Sequence, residues 1–99
     1  SSTIPGKVQT YLHSNKFVLG FIDGEAKKII EDSKCGEVVD PNSPMKLAEK
    51  IIYLNNNRSI LSKVVSGKKG INYLNENFTL VYEIISNNVR INSIYRKQL

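Results

Sequence analysis

The residues best suited to binding a ligand lie near the start of the chain, where a small polar segment leads into a helix. The residues over 1–3 and Gly6 are small, so the backbone can approach a ligand closely, and Pro5 suits the first turn of a helix. A helix N-terminus presents unpaired N–H groups and the positive end of the helix dipole, and Lys7 adds a full charge one turn in. This combination favours binding of a phosphate or diphosphate group. A small polar loop before an ordinary capped helix explains the same residues without a ligand.

Two carboxylates, Asp23 and Glu25, flank Gly24 and form a second candidate for chemistry. A pair of this kind can serve as acid and base or contribute to a metal site. Asp and Glu at the start of a helix are also what the helix dipole favours. We therefore expect these two residues to have a structural role, and we predict no metal site.

The single cysteine, Cys35, and the single histidine, His13, do not form a convincing catalytic or metal-binding pair. A thiol nucleophile needs a nearby base, and His13 lies on a different predicted helix. One Cys and one His are too few to hold a structural metal ion. We expect Cys35 to be a small buried residue, without a disulfide inside the chain.

The chain has a formal charge of +5, and its basic residues are spread along the sequence. Basic residues slightly outnumber acidic ones near the end, where Arg90, Arg96 and Lys97 lie. A solvated basic surface explains this pattern, and contact with an anionic lipid surface or a phosphate-bearing ligand is the alternative. No Arg/Lys-dense run or aromatic platform supports nucleic-acid binding. Neither a signal peptide nor an apolar run of about 20 residues is present. We expect a cytoplasmic protein, with peripheral contact at the inner face of a membrane in the full protein.

The elements that must position these residues alternate between helix and strand in the first half of the chain. The pattern predicts a helix from Pro5, a buried strand over 17–22, a helix from Gly24 to about Lys34 and a short strand over 37–39. Ser43 and Pro44 begin a third helix, and a fourth runs over 59–73 with a break near Gly67. Apolar residues at helical spacing predict a long final helix over 77–98. These residues are Phe78, Val81, Ile84, Ile85, Val89 and Ile91.

Helix–strand alternation predicts an α/β fold with a parallel, helix-covered sheet. Two short strands leave both edges of such a sheet open and bury little. The chain therefore pairs with a copy of itself, or its sheet has further strands upstream, and we favour further strands. The first helix has no strand before it, so we expect the chain to be part of a domain.

An ordered series of motifs resembles retaining glycosyltransferases of family 4, which have the GT-B fold. The series is Thr-Ile-Pro-Gly-Lys-Val-x-x-Tyr-Leu-x-x-x-Lys-x-Val-x-Gly-x-x-Asp-Gly-Glu over 3–25, Ile-Ile-Glu-x-x-x-Cys-Gly-x-Val-Val over 29–39 and Pro-x-x-Leu-Ala-x-x-Ile over 44–51. The similarity runs from about Thr3 to Phe78. It implies that residues 1–99 are the C-terminal half of a Rossmann-like, donor-binding GT-B domain. The helix over 77–98 is then expected to cross to an N-terminal domain outside this chain, or to pack against a neighbouring copy.

The resemblance also implies where a nucleotide-sugar donor binds. In the family the helix start at the Pro-x-Lys segment faces the donor diphosphate, and two glutamates eight positions apart contact the sugar and the ribose. Those two positions fall at Ser2 and Thr10, and neither is Glu, although Thr10 can still hydrogen-bond a ribose hydroxyl. The implied donor-binding residues are Ser2, Thr3, Ile4, Pro5, Gly6, Lys7 and Thr10. The resemblance assigns no catalytic residue to this chain.

The function implied by the resemblance is transfer of a sugar, with retention, from a UDP- or GDP-sugar to a glycan or lipid-linked acceptor. No cofactor is needed, and the acceptor binds to the N-terminal domain. The basic residues that the family uses for the diphosphate lie upstream, so we expect the chain alone to be inactive. Two alternatives stay open: a small α/β interaction module that forms a homodimer through its open sheet edge, and a nucleotide-binding regulator without transferase activity.

Overall fold

The computed structural model describes residues 6–97, which form five helices and two separate two-stranded sheets. The mixed α/β class predicted from the sequence is confirmed. Within 6–97, the helices are all too short or too polar to cross a membrane. In chain order the elements are α1 (Gly6–His13), β1 (Val18–Phe21), α2 (Glu25–Ser33), β2 (Gly36–Val39), α3 (Pro44–Asn56), α4 (Ser59–Ser66), α5 (Lys69–Asn77), β3 (Phe78–Ile85) and β4 (Asn88–Arg96).

The first sheet is the parallel pair that helix–strand alternation predicts. β1 and β2 align from Val18 opposite Gly36 to Phe21 opposite Val39, and α2 connects them and packs on both. Gly24 precedes α2 with a φ of 78°, a backbone conformation that favours glycine. Because the strands are parallel, the loops that follow β1 and β2 lie at the same edge of the sheet.

Gly36 allows the two parallel strands to approach each other closely. A Cβ at this position would lie 2.6 Å from the carbonyl carbon of Val18 and 2.8 Å from its nitrogen, and it would also overlap the Val18 carbonyl oxygen. These are backbone atoms within the strand pair, so they cannot move aside without disturbing the pairing. The Cys35–Gly36 sequence therefore sets the geometry at which β2 joins β1.

The core forms where α1, α2 and α5 pack together above the parallel strands. Tyr73 and Phe78 contact each other at the end of α5, with their ring centroids 6.0 Å apart. Cys35 is fully buried, which confirms its prediction as a small core residue. The buried cluster consists of Val8, Leu12, Val18, Ile29, Ile30, Cys35, Leu74 and Phe78.

The helix boundaries in the middle of the chain follow the predicted signals. α3 begins at Pro44, directly after Ser43, and it contacts β2. The predicted break near Gly67 is confirmed, because α4 ends at Ser66 and α5 begins at Lys69. Lys68, between them, adopts a left-handed conformation with a φ of 52°.

The predicted final helix over 77–98 is wrong, because β3 and β4 form an antiparallel hairpin there. Ser86 and Asn87 both have positive φ values, 52° and 67°, which match the tight turns that connect hairpin strands. The same stretch is rich in β-branched residues, which favour strands. An irregularity between Val81 and Tyr82 shifts the register by one residue, which is typical of a β-bulge.

Candidate functional site

The predicted donor-binding segment is only partly within the described residues. Ser2, Thr3, Ile4 and Pro5 lie outside them. Gly6 is the first residue of α1, and Lys7 and Thr10 belong to the same helix. The structure therefore brings three of the seven predicted residues onto one helix.

Buried apolar residues and a polar contact hold α1 in place. Val8 and Leu12 belong to the core cluster, and the helix packs against α5. Beyond the helix, Asn15 adopts a left-handed φ of 55° and its side-chain amide donates a hydrogen bond to the Val65 carbonyl at 3.0 Å. α1 is thus anchored at its C-terminal end.

The loops after β1 and β2 each contain an exposed aspartate whose carboxylate accepts a backbone hydrogen bond. Asp23 Oδ1 accepts the Gly24 N–H at 2.8 Å, and Asp40 Oδ1 accepts the Asn42 N–H at 2.8 Å. The Asp40 carbonyl also accepts the Ser43 N–H at 3.0 Å. Both aspartates stabilise the turns that begin the next helices, which is the structural role expected for Asp23.

Glu25, the second carboxylate of the predicted pair, contacts the base of the hairpin. Its Oε1 lies 3.8 Å from Nη2 of Arg96, and the Arg96 guanidinium lies 4.8 Å from the centroid of the Phe78 ring. Both charged side chains are partly exposed, so the pair contributes little to stability. Over the described part of the chain, no three His, Cys, Asp or Glu residues are grouped closely enough to hold a metal ion.

Cys35 is not poised for nucleophilic chemistry. Burial raises the pKa of its thiol, and hydrogen bonding with Ser33 opposes this only in part. His13 is exposed in the last turn of α1. A thiol with a raised pKa stays protonated at neutral pH, and the thiolate is the reactive form.

A groove of about 640 Å³ runs beside β2, and sequence reasoning did not predict it. We call it the edge groove. Within it, Lys50 Nζ forms an ion pair with Glu37 Oε1 at 2.7 Å and lies 5.6 Å from the centroid of the Tyr53 ring. The spacing of the α3 residues at 46, 49, 50 and 53 was the available signal, because it puts them on one helix face. The lining residues are Val38, Val39, Asp40, Lys46, Glu49, Lys50 and Tyr53.

A smaller groove of about 300 Å³ borders β1. It is formed where the end of α1 meets the beginning of β1. Each strand of the parallel pair is therefore bordered by a groove. The lining residues are Tyr11, Ser14, Lys16, Phe17, Val18 and Leu19.

The hairpin carries exposed apolar side chains together with one ion pair. Ile84 and Val89, which lie opposite each other, are 73% and 64% exposed. Glu83 Oε1 accepts a 2.7 Å hydrogen bond from Nε of Arg90, and this contact holds the pKa of the Glu83 carboxyl below its ordinary value. Asn92 donates a second hydrogen bond, of 3.1 Å, to Glu83 Oε2. One polar cluster therefore links the two strands of the hairpin.

Comparison of this chain with protein-family models, with curated proteins and with solved structures finds no match.

Proposed function

We propose that this chain is the C-terminal half of the donor-binding domain of a retaining glycosyltransferase with the GT-B fold. The observation that carries the proposal is the agreement between the motif series over 3–51 and the element order α1, β1, α2, β2, α3. From Gly6 onward the first motif spans α1, β1 and the turn before α2, the second spans the end of α2 and β2, and the third begins α3. The proposed reaction is transfer of a sugar from a UDP- or GDP-sugar to a glycan or lipid-linked acceptor.

The open edge of β1 is compatible with a larger Rossmann-like sheet. The register and the Val18–Cys35 hydrogen bond imply that Val18 and Gly20 bond to β2, whereas Leu19 and Phe21 direct their backbone groups away from it. No strand covers this edge within residues 6–97. Under the proposal, a further parallel strand of the donor-binding domain pairs here.

The proposed donor site lies at the edge of the sheet where β1 and β2 end. Ligands of open parallel α/β sheets bind outside the carboxyl ends of the strands. Only residues 14–17 separate α1 from β1, and the helix and the strand both contribute to one core. We infer that the chain reverses its direction between α1 and β1. The start of α1, with Gly6 and Lys7, would then face the same edge as the loops that follow the two strands.

The chemistry that these residues would supply is stabilisation of the leaving diphosphate. Backbone N–H groups at the start of α1 and the Lys7 ammonium would offset the negative charge that develops as the bond from sugar to phosphate breaks. Sugar transfer also needs an acceptor site, which the family places on another domain. We therefore propose that the chain alone binds a nucleoside diphosphate but does not transfer sugar.

The test is a titration of the isotopically labelled chain with UDP and with GDP, followed by NMR. We expect shifts in the amides of α1 and of the loop over 22–25, and Lys7→Ala should weaken binding about 10- to 150-fold, because a charged hydrogen bond contributes about 1.5–3 kcal/mol. The matched control is Lys16→Ala, which removes an exposed lysine from the other end of the α1–β1 connection. Equal affinities of the two variants, or no shifts with either nucleotide, would contradict the proposal.

A further inference from the structure

The backbone of β2 has one edge that no strand covers within residues 6–97. The Val18 N–H donates to the Cys35 carbonyl at 3.0 Å, and a residue in a parallel ladder bonds to both neighbours of its partner. Glu37 and Val39 therefore direct their N–H groups toward β1. Gly36 and Val38 direct their N–H and C=O groups toward the open edge.

Two grooves border β2 in addition to its open edge. The edge groove borders Val38 and Val39 on the α3 side, and a second groove of about 320 Å³ borders Gly36, Glu37 and Val38 near the end of α2. Together their linings include every residue of β2. Addition of a strand to such an edge supplies main-chain hydrogen bonds, and the flanking side chains supply selectivity.

The pattern of outward-facing groups fits a second copy of the same strand. When two β2 strands run antiparallel about a twofold axis at Val38, Val38 lies opposite Val38 of the second copy. In that register Gly36 lies opposite Asp40. Val38 and Gly36, whose backbone groups face the open edge, then occupy hydrogen-bonded positions, and the Asp40 carbonyl keeps its turn hydrogen bond with the Ser43 N–H. We propose that the edge groove is a self-association surface, in which β2 of a second copy pairs antiparallel with β2.

The charges on α3 are complementary to themselves in one register of a twofold pair. A twofold axis makes the two copies of α3 antiparallel. Two residues then lie opposite each other when their residue numbers add up to one fixed value. The register that sets Glu49 opposite Lys50 also sets Lys46 opposite Tyr53, which gives ion pairs and cation–π contacts in duplicate. Glu49 is exposed, and Lys50 keeps its contact with Glu37. The inference is independent of the glycosyltransferase proposal, because it concerns β2 and not the edge of β1.

Amide hydrogen exchange measured by NMR at several protein concentrations tests the pairing directly. We expect the Glu37 and Val39 amides to be protected at every concentration, because they bond to β1 within one chain. The Gly36 and Val38 amides should become protected only at the concentrations at which sedimentation shows a dimer. A chain that stays monomeric at the highest workable concentration, or a dimer that leaves the Val38 amide unprotected, would overturn the proposal. The second result would indicate association through another surface, such as the hairpin.

Two variants separate the backbone contribution from the charge contribution. Val38→Pro removes an outward donor from both copies, so we expect dimer affinity to fall about tenfold or more. Glu49→Lys should weaken the dimer about fivefold, because it sets Lys opposite Lys50 in both symmetric pairs. Glu76→Lys makes the same change of charge at an exposed position of α5 and is the control for net charge. If Val38→Pro does not fold, the Glu49→Lys comparison decides, and an effect equal to that of Glu76→Lys overturns the proposal.

Discussion

Replacing Gly36 with alanine tests the parallel pairing that positions both candidate surfaces. The added Cβ would meet the carbonyl oxygen, carbonyl carbon and nitrogen of Val18, which are backbone atoms of the neighbouring strand. Overpacking of this kind costs about 1–3 kcal/mol, and the upper end applies here because no flexible side chain can yield. Alanine recovers at most about 1 kcal/mol, since glycine is entropically unfavourable in a strand. Steric conflict therefore outweighs the entropic gain.

The expected net loss is about 2–3 kcal/mol of the free energy of unfolding. For a domain of this size, each kcal/mol shifts the melting temperature by about 4–8 °C, so Gly36→Ala should lower it by about 8–24 °C. Thermal unfolding followed by circular dichroism measures this change. The experiment needs a glycine control in a backbone conformation that alanine adopts freely.

Gly67 provides that control at the end of α4. Its φ of −77° and ψ of −7° are helical, and the residue is exposed. Gly67→Ala should change stability by less than about 1 kcal/mol, because alanine adopts this conformation and its Cβ would lie 3.0 Å from the nearest backbone atom, the Lys63 carbonyl oxygen, instead of overlapping a backbone atom as at Gly36. If Gly36→Ala melts within a few degrees of Gly67→Ala, the close contact between Gly36 and Val18 does not exist, and the register of β1 and β2 is wrong.

Two further predictions concern ionisable side chains away from the donor segment. Cys35 should react with a thiol reagent at neutral pH only as fast as the chain unfolds, because its thiol is fully buried and burial raises the thiol pKa. Rapid labelling of the native protein would contradict the place of Cys35 in the core. The pKa of Glu83 is lowered in the folded state, so its contribution to hairpin stability is present above the ordinary value of 4.5 and is lost as the pH falls through the folded pKa. The protection factors of the β3 and β4 amides, which are corrected for the intrinsic pH dependence of exchange, should therefore fall in acid, and Glu83→Gln should remove that fall.

The elements from α1 to α5 could be predicted from the sequence because local signals and packing agree there. Ser43 and Pro44 mark the start of α3, and Gly67 marks the break between α4 and α5. The apolar run over 17–22 has no alternation of polar residues, which is typical of a strand in a parallel sheet. In each case the local preference of the residues matches the place where the core forms.

The hairpin was not predicted because its apolar spacing is ambiguous. Phe78, Val81, Ile84 and Ile85 fit a helical repeat of three and four residues, and the same stretch is rich in β-branched residues that fit strands. The turn at Ser86 and Asn87 decides between them, and it contains no glycine, which is the usual signal for a tight hairpin turn.

The two edges of the parallel pair also explain why the edge groove could not be found from the sequence. Its polar lining residues on α3 look like an ordinary solvated helix face, because lysine and glutamate at such spacing are common on exposed helices. Their meaning depends on which backbone groups of β2 face outward, and only the pairing of Val18 with Gly36 establishes this. Once that pairing is known, the open edges of β1 and β2 have different consequences. A strand added at β1 would extend the sheet toward the proposed donor-binding domain, whereas a strand added at β2 would join two copies without affecting that extension. Nucleotide binding and self-association should therefore be separable, with Lys7→Ala affecting the first and Glu49→Lys the second.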